Sequence, residues 1–265
     1  MNKMTRKILS TTSLLTAGFL AQVAGAADTI NAGKLTIGSD ITYPPFESYD
    51  GDKVVGFDPE VAALIGEQLK LEPAFIDARF ASLVVGLKSN KFDMLMSGMY
   101  ITPSRTEAMN AVPYGRVGAS ILVKKGSKIQ PATEKDLCGV KVGLLPGESY
   151  ATKLNEMSET YCKEMGKPAV KIHEFPSAPE VAQAILSGNV DAQVIINGAA
   201  KLTVEKTKGR LNISSTDLIY PSVIGIFVNK ENKVLTTNIE KAVATIMENG
   251  SLPALLEKYD LSPAY

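Results

Sequence analysis

The sequence predicts an α/β fold in which largely parallel sheets are covered by helices. Strand-like and helix-like segments alternate along the chain, and two α/β units of similar design follow one another. Each unit is followed by a β-rich stretch, residues 118–126 and 220–230, and two helical segments end the chain. Alternation of this kind is typical of parallel sheets, because parallel strands need long crossover connections that are usually helical.

The first unit holds two strands and two helices. The predicted strands are KLTIGS (34–39) and FDMLMSG (92–98), and the predicted helices are GFDPEVAALIGEQL (56–69) and ASLVVGLKSNK (81–91). In the first helix, Asp58 fits an N-cap and Pro59 fits the first helical position. Its apolar residues then recur at helical spacing, which indicates one buried face.

The second unit repeats the pattern. Its predicted elements are VKVGLL (140–145), ESYATKLNEM (148–157), KIHEF (171–175), APEVAQAILSG (178–188) and DAQVII (191–196). The two final helices are predicted over 235–250 and 252–260, and their composition does not decide which unit they join.

The N-terminal residues predict export. Lys3, Arg6 and Lys7 precede an apolar run, and the small residues AGA at 24–26 fit a cleavage site, so residues 1–26 are predicted to be a signal peptide. The alternative is a membrane anchor, but the run is short and interrupted by Ser and Thr. No cysteine follows the apolar run, so a lipid anchor is not expected.

Charge and cysteine content narrow the class of protein. The 28 basic and 28 acidic residues balance, and no basic cluster of the kind that tracks phosphates is present, so we expect no nucleic-acid partner. Cys138 and Cys162 are expected to form a disulfide in an oxidising compartment, with two buried thiols as the alternative. A metal site is not expected, because the single histidine, His173, is near neither cysteine in sequence.

Ligands of open α/β sheets bind beyond the carboxyl ends of the strands, so the segments there are the candidate site. GSDITYPPFE (38–47) offers Asp40 and Tyr43 on a loop that two prolines stiffen, although a plain turn is equally consistent. SGMYITPSRT (97–106) offers Arg105, either as a solvated residue or as an anion ligand. LLPGESY (144–150) places Glu148 at a helix start, where anion binding and ordinary capping are both possible.

These segments resemble family 3 of the solute-binding proteins. The resemblance includes their order along the chain and extends to the segments DLCGVKVGLLPGESY and AILSGNVDA. Members of that family are periplasmic receptors of ABC importers for polar amino acids and related compounds. The resemblance covers nearly all of the chain after the signal peptide. It implies a two-lobed periplasmic binding protein fold (type II), in which each lobe is a mainly parallel sheet flanked by helices and two strands form the hinge. Lobe one would comprise residues 28–119 plus 225–265, and lobe two residues 120–224.

The resemblance also implies roles for individual residues. Arg105 would pair with the ligand carboxylate, and Gly98 and Tyr100 would contact the carboxylate or the ammonium group. The other residues that it places in the cleft are Asp40, Tyr43, Phe80, Gly147, Glu148, Ser149 and Asn197. Gly147 to Ser149 would complete the carboxylate site from the second lobe.

Three positions depart from the family pattern. Position 100 is usually a small hydroxyl residue and is tyrosine here, which narrows or reshapes the cleft. Position 196 usually carries an aspartate for the α-ammonium group, but here it is Ile196, followed by the uncharged Asn197. Position 148 is usually threonine or serine and is Glu148 here. Either Glu148 supplies the missing charge, or the ligand is not a standard α-amino acid and is an opine, a betaine-like compound or another modified carboxylate.

The expected function is therefore that of a monomeric periplasmic receptor. It would deliver an amino acid or amino-acid-like carboxylate to an ABC permease in the inner membrane, with no cofactor. Two alternatives remain. A secreted enzyme similar to cyclohexadienyl dehydratase would need an acid or base near the leaving group, and Glu148 is the only candidate. A sensor would instead report its ligand to a membrane receptor.

Overall fold

The computed structural model describes residues 29–264, so the predicted signal peptide lies outside the described residues. The helices are α1 (Phe57–Leu69), α2 (Phe80–Lys88), α3 (Pro103–Ala108), α4 (Ser149–Met157), α5 (Ala178–Ser187), α6 (Asn197–Lys206), α7 (Lys233–Glu248) and α8 (Ser251–Lys258). The strands are β1 (Lys34–Ser39), β2 (Thr42–Tyr43), β3 (Glu47–Asp50), β4 (Lys53–Val55), β5 (Glu72–Asp77), β6 (Met94–Leu95), β7 (Met109–Lys124), β8 (Lys141–Leu144), β9 (Lys171–Glu174), β10 (Ala192–Ile196), β11 (Leu211–Ile213) and β12 (Ile219–Asn229).

The strands β5, β1, β6, β12, β7, β10, β8 and β9 follow one another across one sheet, and β11 pairs with β7 at its side. The β5, β1 and β6 strands are parallel and form the first lobe with α1 and α2. The β10, β8 and β9 strands are likewise parallel and form the second lobe with α4, α5 and α6. The fold is therefore the predicted two-lobed α/β fold, with a small β2–β3–β4 sheet added to the first lobe.

Two long strands join the lobes. β7 and β12 pair with each other in antiparallel register. β12 also pairs with β6 of the first lobe, and β7 also pairs with β10 of the second lobe. The register of the β7–β12 ladder shifts twice, between Ile219 and Ser222 and between Ile224 and Gly225. Such irregularities bend and twist a ladder, so these two strands can carry the chain from one lobe into the other.

The two C-terminal helices pack against α1 of the first lobe, a placement that their composition had left open. Glu60 of α1 accepts hydrogen bonds from Lys258 Nζ at 2.7 Å and from Tyr259 Oη at 2.7 Å. Near the C-terminus, Ser262 bridges to Arg116 of β7. Between residues 29 and 264, no helix combines the length and apolar character needed to cross a membrane.

The predicted N-cap of the first helix is wrong. The helix begins at Phe57 and its N-cap residue is Gly56, whose φ of 134° favours glycine. Asp58 is instead fully buried, and its carboxylate accepts hydrogen bonds from Tyr114 Oη and from the Gly98 backbone. A capping aspartate and a buried aspartate next to a proline look the same in sequence. The predicted disulfide between Cys138 and Cys162 is confirmed.

Candidate functional site

A cavity lies between the two lobes, beyond the carboxyl ends of β1, β6 and β10. Its lining residues come from both lobes and are Asp40, Tyr43, Phe80, Ser97, Gly98, Tyr100, Arg105, Leu145, Glu148, Ser149, Tyr150 and Ile196. Its volume is about 30 Å³. No group of three potential metal ligands (His, Cys, Asp or Glu) occurs within residues 29–264.

Arg105 brings a buried positive charge to this cavity. It lies in α3, whose N-cap Thr102 and following Pro103 begin the helix directly after the 97–101 loop. The guanidinium donates hydrogen bonds to the Tyr100 carbonyl at 2.6 Å and to the Gly147 carbonyl at 2.9 Å. Burial lowers the pKa of Arg105 to about 10. Among the described residues no carboxylate oxygen lies within 4.0 Å of it, so its charge has no close counterion.

Glu148 brings a carboxyl group from the opposite lobe. It occupies the N-cap position of α4, but its side chain makes no capping hydrogen bond, so the capping interpretation is wrong. The side chain folds back, and Oε2 accepts a hydrogen bond from the Leu145 backbone at 2.8 Å. Burial raises the pKa of Glu148 to about 8, although the Leu145 N–H and the charge of Arg105 oppose the shift. The carboxyl group therefore releases or takes up a proton near neutral pH.

The first-lobe loop that follows β1 supplies Asp40 and Tyr43. Asp40 is buried, and its carboxylate accepts hydrogen bonds from Thr42 Oγ1 at 2.6 Å and from the Phe80 backbone at 2.9 Å. Tyr43 Oη accepts a hydrogen bond from the backbone N–H of Ile196 at 3.2 Å. This bond links the first lobe to the second. The Arg105 guanidinium lies over the Phe80 ring, 5.7 Å from its centroid.

Two buried carboxyl groups accept hydrogen bonds from the loop at Ser97 and Gly98. Ser97 Oγ donates to Glu47 at 2.7 Å, and the Gly98 backbone donates to Asp58 at 3.1 Å. Burial raises the pKa of Asp58 to about 6, and burial together with the charge of Asp58 raises the pKa of Glu47 well above its usual value. These acids position the loop that faces the cavity.

Tyr100 and Tyr150 meet at one side of the cavity. Their hydroxyl groups are hydrogen-bonded at 2.8 Å, and their rings contact edge to face with centroids 5.5 Å apart. Tyr150 also stacks on Tyr220 with centroids 6.1 Å apart. Because Tyr100 belongs to the first lobe and Tyr150 to the second, this pair is a second direct hydrogen bond between the lobes, and the bond from Arg105 to Gly147 is a third.

The structure brings most of the predicted residues together. The residues that line the cavity as expected are Asp40, Tyr43, Phe80, Gly98, Tyr100, Arg105, Glu148 and Ser149. Gly147 reaches the site through its carbonyl group, which Arg105 contacts. Asn197 does not reach the cavity. It begins α6, its Oδ1 accepts a hydrogen bond from Ser120 at 2.9 Å, and it lines a separate cavity beside the joining strands.

Four lining residues were not among the predicted site residues. They are Ser97, Leu145, Tyr150 and Ile196. Each is adjacent in sequence to a predicted site residue or lies within three positions of one, so wider segments around the strand ends would have included them. The expectation for Tyr150 was a helix position only, because nothing in the sequence indicates that it meets Tyr100.

A two-lobed α/β fold with a small cavity that residues of both lobes line defines a binding protein that closes around a solute. The description "bacterial extracellular solute-binding proteins, family 3" matches residues 35–262. The chain belongs to this family.

Individual relatives are similar over nearly the whole chain. The ABC transporter arginine-binding protein 1 of Escherichia coli K12 is 28% identical over 254 residues, which cover 93% of this chain and 98% of the relative. An ancestral arginine-binding protein bound to arginine has 31% identity and a TM-score of 0.75, and the match covers 86% of this chain and 98% of that one. The ancestral amino-acid-binding protein AncCDT-1, a precursor of cyclohexadienyl dehydratase, has 28% identity and a TM-score of 0.71, with 86% and 95% coverage.

Proposed function

We propose that the protein captures a small amino-acid-like carboxylate in the cavity between its lobes and delivers it to an ABC permease. The single observation that carries this proposal is the buried guanidinium of Arg105, which has no close counterion. A buried charge without a partner is unfavourable, and a ligand carboxylate removes that cost. A guanidinium has more N–H donors than the two bonds of Arg105 use, so its fork can still hold two carboxylate oxygens.

Glu148 supplies the opposite pole for the ligand's amino group. Position 196, where an aspartate was expected, is the apolar Ile196, and both line the same cavity. The carboxyl group of Glu148 neither caps its helix nor lies within 4.0 Å of Arg105, so it is available to a ligand cation. This arrangement favours a zwitterionic ligand over a betaine-like compound that lacks an N–H group.

We propose the remaining assignments by analogy with the family. Lobe one comprises residues 28–119 plus 225–265, and lobe two comprises residues 120–224, with boundaries inside the two joining strands. The chain is exported to the periplasm through the signal peptide at 1–26 and acts as a monomer. Its partner is a permease in the inner membrane, which distinguishes it from a sensor that would contact a membrane receptor.

Substitution of Arg105 tests the proposal. Arg105→Ala should weaken binding of every carboxylate ligand by about thirtyfold to several thousandfold, because it removes a buried charged hydrogen-bond partner. Arg105→Lys keeps the charge but not the planar fork, so it should recover only part of the affinity. Thermal shift with the twenty common amino acids and related carboxylates identifies a ligand, and calorimetry measures the change. Unchanged affinity in Arg105→Ala would remove this residue from the site.

An enzymatic role is the second candidate, because Glu148 is an acid with a pKa near 8 in the cavity and a dehydratase precursor is among the similar structures. The relatives named for arginine, cystine and histidine are binding proteins rather than enzymes, which argues against it. We therefore propose that the protein is not an enzyme. Incubation with a cyclohexadienyl acid should yield no aromatic product by ultraviolet absorbance.

A further inference from the structure

An ion pair outside the ligand cavity joins the two lobes. Lys201 Nζ of α6 lies 2.6 Å from Asp260 Oδ2, and Asp260 comes two residues after the end of α8. α6 packs on β7, β10 and β11 in the second lobe, whereas α8 packs on α1 and α7 in the first. Three ion pairs lie within residues 29–264, and the other two are each contained in a single lobe.

The backbone at Asp260 has a conformation that glycine usually supplies. Its φ is 56°, and the Leu261 N–H donates to the Leu256 carbonyl at 2.8 Å, as in a Schellman motif at the end of a helix. The turns after α5 and α7 have glycine in this conformation, at Gly188 and Gly250. Asp260 therefore presents a carboxylate at a position where glycine would fit the backbone at lower cost.

The C-terminal segment, residues 260–264, is fixed on one of the strands that join the lobes. The Arg116 N–H of β7 donates to the Ser262 carbonyl at 2.8 Å, and the Ser262 N–H donates back to the Arg116 carbonyl at 3.3 Å. The Arg116 guanidinium also donates to the Ala264 carbonyl at 3.1 Å. Asp260 is thus held against β7, while Lys201 moves with α6 and the second lobe.

The position of Lys201 is tied to the ligand cavity through the start of α6. Ile196 directly precedes this helix, and it lines both the ligand cavity and a second cavity that Asp260 and Ser262 line from the first lobe. A charged hydrogen bond needs a separation of about 2.7–2.9 Å. A displacement of a few ångström between the lobes therefore breaks the contact between Lys201 and Asp260.

We propose that the Lys201–Asp260 pair is a latch outside the ligand cavity that shifts the unliganded protein toward the closed arrangement in a salt-dependent way. The two side chains are 53% and 77% exposed, so dissolved salt screens their attraction. The effect is accordingly modest, about two- to fivefold in the ratio of closed to open molecules. This inference goes beyond the proposed function and does not depend on which carboxylate binds.

Carbodiimide cross-linking tests whether the pair forms in solution. The reagent activates a carboxyl group, and a lysine in contact with it then forms an amide bond. Peptide mass spectrometry of the unliganded protein at low salt should find an amide between Lys201 and Asp260. The amide between Lys258 and Glu60, which lie 2.7 Å apart inside the first lobe, is the control. The control product without the product between the lobes would overturn the proposal.

Small-angle X-ray scattering of the unliganded protein tests whether the pair affects closure. Asp260→Asn keeps the size and the backbone preference and removes the charge. The ratio of open to closed molecules should rise about two- to fivefold at low salt, which increases the radius of gyration. Salt at about 0.5 M should change the wild type in the same direction and leave Asp260→Asn unaffected. Lys163→Gln removes an exposed ion pair inside the second lobe and should scatter as the wild type does.

Charge reversal provides the matched comparison. Lys201→Glu should open the lobes further than Asp260→Asn, because it places two carboxylates opposite each other. Addition of Asp260→Lys should restore the wild-type radius of gyration, and lysine is compatible with this backbone, since Lys70 and Lys208 have φ values of 56° and 53°. Scattering equal to that of the wild type in both Asp260→Asn and Lys201→Glu would overturn the latch. The proposed function would be untouched by that result, because these measurements use no ligand and Arg105→Ala tests binding separately.

Discussion

At the scale of single residues, the site holds a positive charge and a titratable carboxyl group that do not form an ion pair with each other. Arg105 donates to backbone carbonyl groups, and Glu148 accepts from a backbone N–H, although both line one small cavity. Such an arrangement is unfavourable without a ligand, because no close ion pair offsets the free-energy cost of desolvating the two side chains. A zwitterion supplies both missing partners, which makes ligand charge the main source of binding free energy.

The protonation state of Glu148 should therefore control affinity. With a pKa of about 8, the carboxyl group is mostly protonated at pH 6.5 and ionised above pH 8. Affinity for a ligand whose ammonium group faces Glu148 should rise severalfold from pH 6.5 to pH 8.5, provided that the ammonium group itself stays charged. Calorimetry at both pH values measures this.

The Glu148→Gln variant is the matched comparison. It keeps the shape and the acceptor for the Leu145 N–H, but its binding should be weak and nearly independent of pH over that range. A wild-type affinity that falls with rising pH would mean that an acidic group of the ligand, rather than its ammonium group, faces Glu148.

At the scale of elements, buried carboxyl groups hold the site loop in place. Glu47 and Asp58 have raised pKa values, about 6 for Asp58, so the folded protein binds more protons than the unfolded chain above about pH 4. Stability should then fall as the pH rises from about 4.5 through about 6. The carboxyl groups of Glu47 and Asp58 nevertheless have a structural role, because the hydrogen bonds that they accept fix Ser97 and Gly98 at the cavity.

Glu47→Gln should reduce this loss. The neutral amide removes the titration of Glu47 and its repulsion with Asp58, so the difference in unfolding free energy between pH 5 and pH 8 should shrink. Urea denaturation at the two pH values measures it. Glu67→Gln, on the exposed face of α1, should leave the wild-type difference unchanged. If the difference in unfolding free energy between pH 5 and pH 8 is as large in Glu47→Gln as in the wild type, Glu47 does not keep a raised pKa.

The disulfide acts on a different part of the second lobe. It connects Cys138, just before β8, to Cys162, at the end of the helical segment that continues α4, and the residues are 24 apart in sequence. Replacing both cysteines with alanine should lower the unfolding free energy by about 3 kcal/mol. Denaturant unfolding of the variant and of the reduced wild type should agree. Ligand affinity should be unchanged, because neither cysteine lines the cavity; a loss of affinity would contradict this.

The sequence predicted these elements well where local pattern decides them and less well where tertiary contacts do. β1 has the predicted limits, and β10 begins one residue later than expected. The second predicted strand, 92–98, shrinks to Met94–Leu95, because Gly98 takes a φ of 53° and its backbone turns to Asp58. Glu148 was predicted to be in the site, but its fold back onto Leu145 depends on packing that no spacing reveals.

At the scale of the whole molecule, three of the hydrogen bonds that join the lobes lie at the cavity, and another, from Lys201 to Asp260, lies outside it. The three at the cavity run from Ile196 to Tyr43, from Arg105 to Gly147 and from Tyr150 to Tyr100. The lobes and their joining strands could be anticipated from the family resemblance, but this set of contacts could not, because its members are far apart in sequence. A ligand can shift the equilibrium toward this closed arrangement only through its greater affinity for it.

Tyr43→Phe tests whether these contacts hold the lobes together. The ring remains, but the backbone N–H of Ile196 loses its acceptor in the closed arrangement only. An unsatisfied buried donor costs about 1–3 kcal/mol, so the unliganded variant should populate an open form more than the wild type does. Its radius of gyration by small-angle X-ray scattering should be larger without ligand and equal to the wild-type value at saturation. Affinity should fall by about tenfold, because part of the binding free energy is then used to close the lobes.

Tyr49→Phe makes the same change on an exposed residue of β3 and should behave as the wild type. Equal scattering and equal affinity in Tyr43→Phe and the wild type would show that the bond to Ile196 does not contribute to closure.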